Sequence, residues 1–341
     1  MSRQPQNSLS SRITPRRGDE TTQAMPCVTI LLASYQGARF IQAQLDSIAG
    51  QTHPDWRLLV SDDGSRDGTR EIVTEFAARQ PPDRVRLIEG PAEGATRNFL
   101  HLIGQAPAGQ MLAFCDQDDM WFPEKLARAV AALEGIEGPA HYAARTIIAR
   151  HDLKPAGESR RFQRPFGFRN ALVQACMAGN TSVFNAPAAA LLQAAVPAAR
   201  AAGIESHDWW AYQLTSGAGA RLVHDPRPAL MYRQHDESEM GRNDTPGAMA
   251  RRLGQLFAGD YGAWLGANIR ALSPVTDLLT PENLAILQGF EAALHLSPPL
   301  AAKRMHGLGL YRHTRAGTAA LYLAAATGRL RQARSASTRN R

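Results

Sequence analysis

Three carboxylates stand within four positions, at Asp116, Asp118 and Asp119, directly after the apolar run 111–114. An apolar run of this kind, preceded by Gly109, is typical of a buried strand. The carboxylates are therefore predicted at the C-terminal end of that strand, where open α/β sheets bind ligands. Asp116 and Asp118 can converge on one hard cation, because magnesium commonly binds one or two carboxylates together with substrate phosphates. The alternative is a solvated acidic turn in which Asp119 caps the next helix.

Other residues of the chain could take part in the same chemistry. The turn 61–65, Ser-Asp-Asp-Gly-Ser, follows the predicted strand 56–60. Asp and Gly favour plain turns, which is one interpretation of this segment. Asp208 opens a predicted helix, where an N-cap or first-turn acid is common. His235 follows a predicted strand.

The elements that must position these residues alternate between strands and helices. Strands are predicted at 28–33, 56–60, 85–88, 111–114, 142–149, 177–184, 221–223 and 229–232. Helical spacing of apolar residues fills most of the intervals and dominates from residue 253 onward. Alternation of this kind indicates a parallel, doubly wound α/β sheet. The polar candidates follow the first, second and fourth strands, which is where such a sheet binds its ligand.

Composition excludes several classes of protein. Apolar residues make up 44% of the 341 residues, and no apolar run approaches the roughly 20 residues of a membrane span. The first 25 residues lack the apolar segment of a secretory signal. Three widely spaced cysteines argue against a disulfide framework and for a reducing compartment. We therefore expect a cytoplasmic protein.

Positive charge is concentrated at the C-terminus. Residues 301–341 hold nine basic and no acidic side chains, whereas the whole chain has a net charge of +7. The remainder is therefore net acidic, and the basic character belongs to the tail. Such a tail could bind an anionic membrane surface or simply aid solubility. No RNA-binding aromatic motif or zinc finger is present, so nucleic acid is not expected as a partner.

These motifs, in this order, resemble family 2 glycosyltransferases of the GT-A fold. The similarity covers residues 26–240 and is greatest to bacterial rhamnosyltransferase-like members that build surface polysaccharides. It implies an α/β, GT-A-type doubly wound, mostly parallel sheet with a helical C-terminal extension. The expected organisation is a disordered basic segment at 1–24, the glycosyltransferase domain at 25–245, the helical extension at 246–330 and a basic tail at 331–341.

The resemblance also assigns roles to individual residues. It implies that the nucleotide sugar is bound by Ser34, Tyr35, Asp62, Asp63, Arg97, Asp116 and Gln117. It implies a divalent ion, Mn²⁺ or Mg²⁺, held by Asp116, Asp118 and His235. Asp208 would be the general base, while His207 is expected to pack. Trp209 and Trp210 are candidates for a sugar platform, with core packing as the alternative.

The function implied is an inverting, metal-dependent transfer of a sugar from a dTDP- or UDP-sugar, with dTDP-rhamnose as the first expectation. The acceptor would be a saccharide or lipid-linked saccharide, at the inner membrane face contacted by the basic tail. Asn180 departs from relatives that often have Cys there, and Asp236-Glu237 replaces the usual Gly-Asn or Gly-Ser. A processive polymerase is not expected, since a Gln-x-x-Arg-Trp motif is missing. The alternatives are a nucleotidyltransferase, whose Gly-rich basic phosphate loop is lacking after the first strand, and a non-catalytic sugar-binding protein.

Overall fold

The structure, a computed structural model, describes residues 25–234 and 260–330. The predictions for 1–24, for His235 and the following residues to 259, and for the basic tail at 331–341 lie outside the described residues. Within the described ranges, no helix is long and apolar enough to cross a bilayer. Cys27, Cys115 and Cys176 are all free thiols, as expected.

The first half of the sheet is parallel. Its elements are β1 (Val28–Ser34), α1 (Ile41–Ala49), β2 (Trp56–Asp62), α2 (Thr69–Ala78), β3 (Val85–Glu89), α3 (Ala95–Gln105) and β4 (Met111–Asp116). The strands lie in the order β3-β2-β1-β4. β1 and β4 are almost entirely buried, because helices cover both faces of the sheet. Pairing of Ser34 with Asp62, and of Ala33 with Asp116, brings the polar strand ends to one edge.

The second half of the sheet is mixed. The chain continues through β5 (Met120–Trp121), α4 (Lys125–Leu133), β6 (Ala140–Ala149), β7 (Pro155–Glu158), α5 (Phe168–Ala171), a 3₁₀ turn (Gly179–Thr181), β8 (Val183–Phe184), α6 (Ala186–Ala202), α7 (His207–Gly217) and β9 (Arg221–Arg233). β8 is antiparallel to both β4 and β6, and β9 is parallel to β6. β9 therefore runs in the same direction as β4, so Arg233 ends near the acidic turn that follows β4.

The C-terminal region is helical, as predicted. It comprises α8 (Asp260–Leu272), a 3₁₀ segment (Ser273–Leu278), α9 (Pro281–His295), α10 (Pro298–Gly307) and α11 (Arg315–Ala326). Thr280 caps α9 by accepting the Asn283 N–H, and proline occupies the first helical position. Leu265 of α8 and Phe290 of α9 belong to one hydrophobic core with residues of α3, α6 and α7. The helical extension therefore completes the core of the sheet domain.

The predicted α/β fold with a helical C-terminal extension is confirmed, with local differences. The two short strands predicted at 221–223 and 229–232 form a single strand, β9. Pairing with β6 passes from Asp225 directly to Pro228, so a bulge accommodates the proline-containing segment between the two predicted strands. The predicted strand at 177–184 is reduced to β8, since a 3₁₀ turn occupies 179–181. β5 and β7 were not predicted, because a two-residue strand and an exposed one carry little apolar pattern.

Candidate active site

Asp119 is the innermost carboxylate of the acidic turn 116–119. Its side chain is completely buried, whereas Asp116 and Asp118 are partly exposed. One Asp119 oxygen accepts the Nδ2–H of Asn180 at 2.7 Å, and the other accepts the backbone N–H of Arg233 at 3.3 Å. Burial, reinforced by repulsion from Asp118 and Asp116, raises the pKa of Asp119 well above its usual range. The alternative in which Asp119 caps the next helix is wrong, because its oxygens are directed to β9 and to the 3₁₀ turn.

Arg233 ties the end of β9 to the acidic turn. Its Nε donates to the backbone carbonyl of Asp118 at 2.8 Å, and its Nη1 donates to the carbonyl of His151. The guanidinium also lies 4.8 Å from the centroid of the Phe40 ring. The acidic turn is therefore held at the end of β9 by both the side chain and the backbone N–H of Arg233.

The carboxylate of Asp62 is occupied within its own turn. It accepts hydrogen bonds from the hydroxyl of Ser34 at 3.0 Å, and from the hydroxyl and backbone N–H of Ser65 at 2.6 and 2.9 Å. The Arg70 guanidinium lies 3.6 Å away. Ser34 and Asp62 are both buried. These two predicted base-binding residues therefore hold the turn 61–65 against the end of β1.

Asp63 holds a neighbouring loop. Its Oδ1 accepts the N–H of Ala92 and its Oδ2 accepts the N–H of Gly94, each at 2.7 Å. These amides belong to the loop between β3 and α3, whose backbone would otherwise present two unpaired donors. The primary role visible for Asp63 is therefore to fasten this loop beside the turn 61–65.

Tyr35 and Gln117 are paired directly across the edge of the sheet. The backbone N–H of Tyr35 donates to Gln117 Oε1 at 2.9 Å, and Gln117 Nε2 donates to the Tyr35 carbonyl at 2.8 Å. A Cβ at Gly37 would lie 2.2 Å from Gln117 Oε1, so a side chain at this position would displace the Gln117 amide. The Tyr35 ring is 57% exposed and is therefore available to a ligand.

Three predicted ligand contacts lie elsewhere. The Arg97 guanidinium donates to the carbonyl of Arg200 near the end of α6, so it is engaged there and not at the acidic turn. Trp209 and Trp210 are both buried, and Trp209 Nε1 donates to the carbonyl of Ala171. The sugar-platform hypothesis for these tryptophans is wrong, because their apolar rings contribute to the core between α7 and its neighbours.

Asp208 lies in the first turn of α7 and is held from two directions. Its Oδ1 accepts the hydroxyl of Ser206, the N-cap residue of α7, and its Oδ2 accepts the backbone N–H of Gly179 at 3.1 Å. The side chain is partly exposed.

His207 stacks on Phe99 with ring centroids 3.8 Å apart, so its prediction as a packing residue is confirmed. Burial lowers the pKa of His207 to about 4, so at neutral pH the ring is uncharged.

A two-residue segment connects Asp208 with the acidic turn. Gly179 contacts Asp208 through its backbone, and the adjacent Asn180 contacts Asp119 through its side chain. Because the two residues are consecutive in one 3₁₀ turn, Asp208 and Asp119 are hydrogen bonded to the same short segment. The fold therefore brings together residues separated by about 90 positions in the sequence.

Lys125 is a feature that sequence reasoning missed. Its side chain is completely buried in α4, and its Nζ, 3.3 Å from the centroid of the Trp121 ring, has no hydrogen-bond partner among the described residues. Burial lowers the pKa of Lys125 to about 7, against the opposing attraction of Cys115, Asp119 and Asp116. A lysine in the helix after an acidic turn is usually exposed, so its spacing alone gives no signal of this environment.

The partly exposed carboxylates of Asp116 and Asp118 suit a metal ion that is also bound by the phosphates of a ligand. Within residues 25–234 and 260–330, no group of three or more His, Cys, Asp or Glu side chains is arranged to hold a metal ion. Asp116 and Asp118 nevertheless supply two oxygen donors at the edge of the sheet, which suits a Mg²⁺ or Mn²⁺ ion that is completed by phosphate oxygens. The third predicted ligand, His235, lies just beyond the described residues.

Comparison with known proteins confirms the predicted family. Residues 29–190 match the family model for glycosyl transferase family 2, so the chain carries a family 2 glycosyltransferase domain. This region includes the acidic turn, the turn 61–65 and the Gly179–Asn180 segment.

Relatives of this chain match it over different lengths. The dTDP-rhamnosyl transferase RfbG of Shigella flexneri is 27% identical over 65% of this chain and 78% of that protein. The Escherichia coli β-1,3-glucosyltransferase WfgD, which is named as acting on α-D-GlcNAc-diphosphoundecaprenol, is 31% identical over 31% of this chain. An uncharacterised glycosyltransferase of Nostoc is 32% identical over 31% of this chain. The matches span 40% of WfgD and 33% of the Nostoc protein.

Two solved glycosyltransferase structures align with most of this chain. A mannosyltransferase from Pyrobaculum calidifontis, in complex with GDP-Man and Mn²⁺, superposes with a TM-score of 0.48 at 20% identity, covering 90% of this chain and 88% of that one. S. aureus TarS with UDP-GlcNAc gives a TM-score of 0.48 at 13% identity, covering 89% and 90%.

Proposed function

We propose that this protein is an inverting, metal-dependent glycosyltransferase that uses a nucleoside-diphosphate sugar. One observation carries the proposal. Asp119 of the acidic turn and the partly exposed Asp208 are hydrogen bonded to the same 3₁₀ turn, and the partly exposed Asp116 and Asp118 belong to that acidic turn at the C-terminal edge of the sheet. One side of the site can therefore bind the diphosphate and its cation, and the other side holds the general base. A direct displacement requires both.

The reaction divides between these two ends. Asp208 takes the proton of the acceptor hydroxyl while that oxygen attacks the anomeric carbon and the bond to the nucleoside diphosphate breaks. A single displacement inverts the configuration at this carbon. Asp116 and Asp118, with His235 as a proposed third ligand, would hold Mn²⁺ or Mg²⁺, which when bound neutralises charge on the departing diphosphate. The Ser206 hydroxyl and the Gly179 amide keep the Asp208 carboxylate in place during proton transfer.

The donor is proposed to be a dTDP- or UDP-sugar, and dTDP-rhamnose is the first candidate. The named specificity of RfbG, the relative that matches the largest share of this chain among those compared, supports this choice. The exposed Tyr35 ring, held at its backbone by Gln117, is the best-placed surface for the base. Asp62 and Asp63 would act by shaping this pocket, and any direct contact would use lone pairs not taken by Ser65 or the loop amides.

The acceptor is proposed to be a saccharide or a lipid-linked saccharide of a surface polysaccharide. The substrate in the name of WfgD, a diphosphoundecaprenol-linked sugar, supports the lipid-linked form. Nine basic side chains in residues 301–341 are suited to the anionic inner face of the membrane, where such an acceptor would be met. The protein would then be cytoplasmic and peripheral at that membrane.

The decisive experiment measures nucleotide binding with and without a divalent ion. UDP and dTDP are titrated by calorimetry in Mn²⁺ and again in excess chelator, using wild type, Asp118→Asn and the exposed-surface control Glu75→Gln. We expect chelator and Asp118→Asn to weaken binding, while Glu75→Gln binds as wild type. Equal nucleotide affinity with Mn²⁺ and with chelator would rule out the metal bridge.

A second measurement tests the base. Asp208→Asn should bind donor normally but lose sugar transfer by about 10²–10⁴-fold, the usual contribution of a general base. Near-normal transfer by this variant would move the base to another residue. Release of pyrophosphate from a nucleoside triphosphate and a sugar phosphate would instead identify a nucleotidyltransferase.

A further inference from the structure

Asn180 is buried, and its amide is bound to a carboxylate that is itself anchored. Its Nδ2 donates to Asp119 Oδ2 at 2.7 Å, and Asp119 Oδ1 accepts the N–H of Arg233 at the end of β9. The Arg233 side chain in turn binds the carbonyl of Asp118. The Asn180 side chain is therefore fastened to the frame of the sheet by a short, buried hydrogen bond.

The residue before Asn180 has no freedom to move away from Asp208. The Gly179 N–H donates to Asp208 Oδ2, and its carbonyl accepts the N–H of Ser182 at 2.8 Å. A Cβ at position 179 would lie 3.0 Å from both Asp208 Cβ and His207 Nε2. The backbone of the 3₁₀ turn thus packs directly against the first turn of α7, with glycine at the point of closest approach.

We propose that Asn180 is a positioning residue for Asp208: by holding the 3₁₀ turn on Asp119, it sets the Gly179 amide that orients the Asp208 carboxylate toward the acceptor. The inference rests on the proposed function, since it assigns Asp208 the role of base. The chain of contacts is Asp119 to Asn180 through side chains, Asn180 to Gly179 along the backbone, and Gly179 to Asp208 through an amide. Asp119 is accordingly part of the support of the base, in addition to closing the acidic turn.

This role predicts a specific kinetic signature. Asn180→Ala removes the anchor without touching Asp208, so we expect the kcat for transfer to fall by about 10–100-fold, the order of loss that follows a displacement of about 1 Å in a catalytic group. The donor KM and the affinity for nucleotide should stay within about twofold, because Asp116 and Asp118 are unchanged. Asn170→Ala is the matched control: Asn170 is also buried and hydrogen bonded, but to Gln174, the Tyr311 carbonyl and the Tyr212 hydroxyl, and not to the acidic turn or the 3₁₀ turn. It should lower stability without lowering kcat.

An exchange of the two partners provides the test of rescue. In the double variant Asn180→Asp/Asp119→Asn, the new amide at 119 can donate to the new carboxylate at 180, and its oxygen can still accept the Arg233 N–H. We expect this double variant to recover most of the kcat lost in Asn180→Ala. If Asn180→Ala does not fold, kcat, donor KM and nucleotide affinity are measured on the double variant instead. A kcat for Asn180→Ala within twofold of wild type would overturn the inference. So would a loss no larger than that of Asn170→Ala, or a double variant that folds and binds nucleotide but stays as slow as Asp208→Asn.

The outcomes separate this inference from the proposed function. If wild type transfers no sugar from any nucleotide sugar and binds nucleotide without a cation, the proposed function fails. If wild type transfers sugar and Asp208→Asn does not, but Asn180→Ala is fully active, only the positioning role of Asn180 fails.

Discussion

Replacing Asp63 by alanine should destabilise the protein strongly, because the substitution removes two short hydrogen bonds that hold the loop between β3 and α3. The carboxylate is buried and accepts the N–H groups of Ala92 and Gly94, each at 2.7 Å. Hydrogen bonds to a charged group contribute about 1.5–3 kcal/mol each, so the loss should be about 3–6 kcal/mol. That is a large part of the stability of an ordinary domain, about 5–15 kcal/mol.

Urea unfolding at pH 7.5, followed by circular dichroism, measures this loss. Glu75→Ala removes the same charge from an exposed position of α2 and should change the unfolding free energy by less than about 0.5 kcal/mol. Asp63→Asn keeps one acceptor oxygen but places an NH₂ group against the other amide, so it should fall between the two. If Asp63→Ala lost under 1 kcal/mol with an unchanged m-value, the loop-fastening role would be refuted, and a direct contact with the nucleotide base would become the main role of Asp63.

Three further predictions concern charge. Lys125→Met should raise the urea midpoint at neutral pH with chelator present, because burial is the dominant influence on this lysine and methionine removes the charge at similar volume; a lower midpoint would show that attraction to Asp119 and Asp116 outweighs burial. Burial lowers the pKa of His313 to about 4, below its ordinary value of 6.5, so stability should be full above pH 6.5 and decline toward pH 4. His313→Phe should lessen that decline in urea midpoints measured from pH 7.5 to 4.5, since neither ring nitrogen has a partner among the described residues. An unchanged pH dependence of the urea midpoint would show that His313 is not its cause. Deleting residues 331–341, which include four arginines, should weaken binding to anionic liposomes and reduce its salt dependence while leaving turnover on a soluble acceptor unchanged. Equal liposome binding by the truncated chain would show that the tail only aids solubility.

The amino-acid sequence determined the framework of the site. Apolar runs ending in Asp or Ser specify buried strands with polar C-terminal ends, and alternation with helices specifies a sheet that gathers those ends at one edge. The acidic turn 116–119, the turn 61–65 and Asp208 were therefore predicted from local pattern and from family resemblance. Their placement depends on short-range features that a sequence displays directly: apolar periodicity, turn residues and helix starts.

Only the tertiary structure decided what each polar group contacts. Asp119 is buried against Asn180, and Arg97 turns to the end of α6, because partners from distant parts of the chain offer the nearest donors or acceptors. Trp209 and Trp210 enter the core because α7 is covered on the side where they lie. Lys125 is buried, without a hydrogen-bond partner in the part of the chain that the structure describes, for the same kind of reason. Side-chain burial and pairing are set by contacts between elements remote in sequence, and no local pattern encodes them.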